Sequence, residues 1–218
     1  MVKEPVVYPY FRGSSWSEAW ASNLFRGKII AAGVIFVAIM LLLPHFFAII
    51  EVREGILLND WILQGIAAQD CSVTIFIFLW STSILAIVRC IQQPAIFLRM
   101  IYLLIAITLV RVLTISLVPL DPPAGIIHLK DPLTSLTYGG REIFITKDLF
   151  FSGHTSNLFM MYMCFQKKRD KQFALLATIV VATLVLVQHI HYSIDVMVAF
   201  VFTYCLVKFS MRLKFLNI

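Results

Sequence analysis

Arg111, His154, His191 and Asp195 interrupt apolar runs in a chain of 218 residues that is 60% hydrophobic. Ionisable groups in such surroundings are costly and mark functional sites by default. His191 and Asp195 are four residues apart, the spacing of neighbours on one helix face. A carboxylate there accepts a hydrogen bond from one ring nitrogen, fixes the tautomer and raises the basicity of the other. The stretch FFSGHTSN, residues 150–157, sets His154 beside Ser152 and Gly153 at the mouth of an apolar run. Unpaired N–H groups at a helix N-terminus attract anions, and glycine lets a ligand approach the backbone.

Singly, each feature has a plain structural explanation. A His–Asp pair can tie down a helix end, and Ser-Gly can simply cap a helix. Together with Arg111 they are the parts needed to move a phosphoryl-type group through a phosphohistidine. One imidazole attacks phosphorus while the carboxylate stabilises its cationic form, and the other protonates the leaving oxygen. Arginine and backbone amides neutralise the developing charge. This chemistry requires no metal and no cofactor.

The elements that must position these groups are membrane-spanning helices. A mean hydropathy of +0.88 and recurring apolar runs near 20 residues point to an all-α polytopic bundle. Six spans are predicted: Ile29–Ile50, Ser72–Val88, Ala95–Val118, Phe150–Phe165, Phe173–Val187 and His191–Val207. Residues 1–28 form a cytoplasmic or interfacial leader and residues 29–218 a single catalytic domain. Within the leader, SSWSEAWASNLFRGK carries Trp16, Trp20 and Phe25 at helical spacings, which predicts an amphipathic helix in the membrane interface.

The net charge of +6 is a topology signal, not a nucleic-acid footprint. Thirteen Lys and Arg fall in the leader, between spans two and three, in KKRDK (167–171) and in the tail; four, Arg53, Lys130, Arg141 and Lys147, fall on the opposite side. The positive-inside rule then puts both termini in the cytoplasm. Arg111 lies twelve residues beyond Arg99, about 18 Å up its helix. His154, His191 and Asp195 sit at similar depth near the extracytoplasmic ends of their spans. The four cysteines form no C-x-x-C and offer no disulfide pair on that side.

At these residues the sequence resembles the type-2 phosphatidic acid phosphatase superfamily, and within it the sphingomyelin synthase branch. The resemblance rests on DLFFSGHT (148–155), HYSIDV (191–196) and RVLTISLVPLDPP (111–123), through Arg111 and Thr114. It implies His191 as nucleophile, Asp195 as its partner, His154 as acid toward the leaving group and Asp148 as an accessory carboxylate. It also implies a six-helix core with an extracytoplasmic site acting on phospholipid, with a lipid or water as acceptor. The K-x6-R-P of the superfamily's phosphomonoesterases is missing, and Leu184 and Val185 stand where their S-R pair would precede the histidine. With Arg111 the one cation inside the spans, a phosphodiester of single charge suits the site better than a terminal phosphate.

Two other readings compete. A lipid phosphate phosphatase would release inorganic phosphate from the same machinery. In a metal-binding protein or transporter, His154, His189, His191 and Asp195 would ligate a divalent ion. His189 and His191, however, would point to opposite sides of a regular helix.

Overall fold

The computed structural model describes residues 15–130 and 145–212. The leader before Ser15, and with it Lys3 and Arg12 of the charge pattern, lies outside them, as do Arg141 and Lys214.

Among the described residues the chain forms eight helices and no strand, apart from one isolated bridge between Ile56 and Leu120. They are α1 (Trp16–Ala21), α2 (Asn23–Val52), α3 (Trp61–Gln64), α4 (Ser72–Gln92), α5 (Pro94–Leu117), α6 (Gly153–Cys164), α7 (Lys168–Val187) and α8 (Ser193–Arg212). Five of these, α2, α4, α5, α7 and α8, are long and apolar enough to cross a membrane. Their outer surfaces carry large apolar side chains such as Leu41 and Val73, 70% and 72% exposed. Such a surface is compatible with lipid rather than water as solvent.

The fourth expected span is the short one. α6 has 12 residues, a rise of about 18 Å against a hydrocarbon core of about 30 Å. Its start is set by chain chemistry that hydropathy does not register. Phe150 is in the left-handed region at φ 76°, which ends regular structure for a bulky residue, and Ser152 caps the helix that follows. Only residues 165–167 separate α6 from α7, so the two helices are level at that end of the bundle. The N-terminus of α6 therefore stops within the depth of the longer helices, and His154 stops with it.

The leader and first span also divide differently from expectation. Ser15 and Glu18 form a reciprocal capping box that starts α1, and Ser22 caps α2. One amphipathic helix across residues 14–28 is thus replaced by a single turn and a half, then a break, then a 30-residue helix. Trp16 turns inward: its Nε1 donates to the carbonyl of Ile91 at 2.8 Å, and its ring meets Phe25 and Phe97 edge-on. At the same end of the bundle, Arg89 and Asp170 pair at 2.6 Å and tie the end of α4 to the start of α7.

The core lies around α6. Leu103 and Ile107 of α5, Met160 of α6, Ala174 of α7 and Ala199 of α8 are buried in one cluster together with Phe151. α6 packs on α5, α7 and α8, whereas α2 touches mainly α5 and α1. The helix carrying His154 is thus the most enclosed element, and that enclosure positions its first turn.

Candidate active site

α6 and α8 begin side by side. The backbone N–H of Ser152 donates to the carbonyl of Asp195 at 3.1 Å. Ser152 then spends its other polar groups on its own helix, accepting from Thr155 N with its side chain and from Ser156 Oγ with its carbonyl. Ser152, Thr155 and Ser156 are completely buried. The anion-attracting helix start is therefore deep inside the bundle.

His191 and Asp195 meet as the spacing predicted, but for a different reason. α8 starts at Ser193, so His191 lies in the turn before the helix, not on its face. Asp195 is the third residue of α8 and reaches back, one oxygen accepting from Tyr192 N at 3.1 Å and lying 3.2 Å from His191 Nδ1. This is the carboxylate half of a capping box, put to use as a histidine partner. Asp195 is fully buried, and its Oδ1 has no hydrogen-bond partner among the described residues. With Nδ1 committed, Nε2 is the ring nitrogen of His191 left for chemistry.

His154, the second residue of α6, faces His191. Their ring centroids are 6.3 Å apart with planes at 64°.

Arg111, from α5, lies against the start of α6. A Cβ added at Gly153 would stand 2.5 Å from the guanidinium carbon and 2.9 Å from Nη2. Glycine permits that close approach, and any side chain there would push the guanidinium aside. Nη2 pairs with both oxygens of Asp148 at 2.5 and 2.6 Å, while Nε donates to the Phe151 carbonyl at 3.3 Å. Asp148, foreseen only as an accessory, is thus the direct partner of Arg111. Two neighbours hold the strand of chain leading to it. Glu51 at the end of α2 accepts from the backbone N–H groups of Thr146 and Lys147, and Lys147 pairs with Asp121 at 2.8 Å. Lys147 is therefore engaged by Asp121 and the Arg53 carbonyl.

The turn carrying His191 is fixed by residues to which the sequence alone assigns no such role. The buried Gln188 side chain accepts from Cys71 N at 3.1 Å and donates to Ser72 Oγ at 2.9 Å. His189, at φ 56°, has each ring nitrogen 3.0 Å from a carbonyl, those of Ala124 and Ile66. Tyr192 donates through its hydroxyl to the Asp121 carbonyl and accepts from Leu58 N. Asp60 caps α3 with one oxygen and accepts from Ser193 N at 2.6 Å with the other. Burial alone would raise the Asp60 carboxyl, but hydrogen bonds from Ser193, Leu63 and Ile62 outweigh it and hold the group below the usual range. Burial pushes the Tyr192 phenol up. The one sequence signal for these groups was the density of polar residues in QHIHYS at the end of an apolar run.

The four-ligand metal arrangement is not what the fold assembles. His189 addresses two backbone carbonyls, and no group of three His, Cys, Asp or Glu among the described residues is placed to hold an ion.

Residues 147–212 match the family model described as PAP2 superfamily C-terminal. That stretch contains Asp148, His154, His191 and Asp195 and leaves Arg111 outside. No curated protein and no solved structure gives a significant match to the chain. The family match, on a bundle of apolar helices, supports the type-2 phosphatidic acid phosphatase superfamily and an integral membrane enzyme of lipid phosphates.

Proposed function

We propose that this chain transfers the phosphate-bearing headgroup of a phospholipid to a lipid alcohol or to water, through a phosphohistidine on His191. His191 Nε2 attacks phosphorus. The bond from phosphorus to the lipid alcohol breaks, and His154 gives its proton to the departing oxygen. Asp195 holds Nδ1–H and balances the positive charge that the ring acquires. Arg111 and the amide of Gly153 at the start of α6 receive the phosphate oxygens, the Ser152 amide being held by the Asp195 carbonyl instead. In the second step an alcohol or water loses its proton to His154 as its oxygen attacks phosphorus. The phosphorus–nitrogen bond breaks, and the electron pair returns to Nε2.

The observation carrying this reading is the pair of facing imidazoles, 6.3 Å apart, with Asp195 on one of them. The charge balance supports a diester over a monoester. Arg111 is already shared with Asp148, and Lys147 is paired with Asp121. A phosphate bearing nearly two charges would find little positive charge to meet it. A phosphatidic-acid-type phosphatase is the second reading, favoured by the family match alone.

The site lies on the extracytoplasmic side of six membrane-crossing segments, α6 being the short one, with both termini cytoplasmic. Support comes from the distribution of Lys and Arg and from the position of His191, Tyr192 and Asp60 at the end away from KKRDK. The test is to incubate the purified protein with headgroup-labelled phospholipid, with and without an added lipid alcohol. Label on the added alcohol or free phosphorylated headgroup is expected. Inorganic phosphate released from phosphatidic acid, with no action on the diester, would replace this reading by the second.

A further inference from the structure

Beneath His154 the bundle is hollow. A cavity of about 800 Å³ lies between α2, α4, α5 and α6, walled by apolar side chains such as Leu79, Ala86, Met100 and Leu104. No Lys, Arg, His, Asp or Glu lines it among the described residues. On α4 it runs from Leu79 to Ile91, twelve residues or about 18 Å. Trp16 closes the far end, its indole held on the carbonyls of Ile91 and Cys90. Ile87 and Ile91 are 59% and 66% exposed, so the wall is open to lipid on one side.

At the near end stands Asn157, three residues after His154 and hence on the same face of α6, one turn lower. Its Oδ1 is buried and has no hydrogen-bond partner among the described residues. A buried acceptor left open at one end of a cavity lined, apart from Ser83, by apolar side chains is matched by a donor on a chain-bearing ligand.

We propose that this cavity binds the lipid alcohol of the reaction, a neutral molecule with a free hydroxyl and long aliphatic chains, with Asn157 as a specificity-determining residue at its neck. The proposal rests on the phosphotransfer reading above. An anionic lipid would find no counter-charge along the wall, whereas a neutral one needs none. The chemistry gives the same occupant in both steps. His154 hands a proton to the departing alcohol and takes one from the incoming alcohol, so both must sit on its side of phosphorus. On α6 that side is followed one turn lower by Asn157, which lines the cavity.

Water and lipid alcohol compete for the same phosphohistidine, so their partition isolates the second step from the rate of the first. The purified full-length protein would be given headgroup-labelled phospholipid with dioleoylglycerol as acceptor, and labelled transfer product compared with labelled water-released headgroup. Asn157→Leu is expected to lower the transfer-to-hydrolysis ratio at least tenfold. Ala86→Trp, which fills the cavity farther from the site, is expected to depress transfer to dioleoylglycerol more than to dihexanoylglycerol. Unchanged ratios in both variants, or a wild-type protein that delivers headgroup only to water, would overturn the proposal. A diacylglycerol carrying a photoreactive group in its chain gives a readout independent of turnover. Crosslinks to α4 and α5 are expected, and their absence overturns the cavity assignment. A protein that crosslinks but cleaves no phospholipid instead fails the phosphotransfer reading while retaining the site.

Discussion

Asp195 reaches back across the start of α8 to His191, its Oδ2 3.2 Å from Nδ1. One carboxylate oxygen thereby starts a helix and sets the tautomer of an imidazole. Asn at this position keeps the size but not the charge, and can present its amide nitrogen to the ring. Asp195→Asn is expected to lower the turnover number by about 100- to 10,000-fold, the range for disabling a positioned acid–base partner. Steady-state kinetics on protein that elutes as a monodisperse species would check it.

In the proposed mechanism His154 protonates the leaving oxygen, so its importance should follow how much that oxygen needs a proton. With a natural phospholipid, His154→Ala should be nearly inactive. With a nitrophenyl phosphodiester, whose leaving group departs unprotonated, the same variant should release nitrophenol in a rapid burst. His191→Ala should show no burst with either. Stopped-flow absorbance separates the two.

Gly153 admits the Arg111 guanidinium to the start of α6, and any Cβ would collide with it. Overpacking of this kind costs about 1–3 kcal/mol. Gly153→Ala is expected to lower the melting temperature and reduce activity at least tenfold, because displaced Arg111 also leaves Asp148. Arg111→Lys in the same background, with a slimmer head group, should recover part of the stability. Paired thermal-shift and activity measurements test this.

Asp60 links α3 to the start of α8, and its carboxyl is held below the usual range. A group depressed in the folded state contributes stability above its unfolded pKa, near 4, and loses it as pH falls through the folded value. Melting temperature should therefore decline as the medium is acidified through and below pH 4. In Asp60→Asn that part of the decline should disappear. Melting curves across this acid range for both proteins provide the check.

The candidate site was legible because charge inside an apolar run stands out in one dimension. Arg111, His154, His191 and Asp195 could be chosen before any fold was known, and the structure brings the two histidines, Asp195 and the start of α6 together. Helix ends were harder. FFSGHTSNLFMMYMCF is apolar enough to read as one span from Phe150, yet the left-handed Phe150 and the Ser152 cap delay the helix to Gly153. The same holds for His191, which hydropathy assigns to α8 and the chain leaves in a turn. Least legible were the groups that fasten that turn. Tyr192 meets Leu58 across 134 positions and Gln188 meets Cys71 across 117, contacts that no local periodicity encodes.

The central claim is tested most directly by trapping the covalent intermediate. The protein would be mixed briefly with phospholipid labelled at phosphorus, quenched in denaturant at alkaline pH, and digested for mass spectrometry. The account predicts headgroup phosphate on His191, stable to alkali, lost in acid, and missing from His191→Ala. Rapid turnover by wild-type protein with no label on His191, or undiminished turnover by His191→Ala, would contradict it.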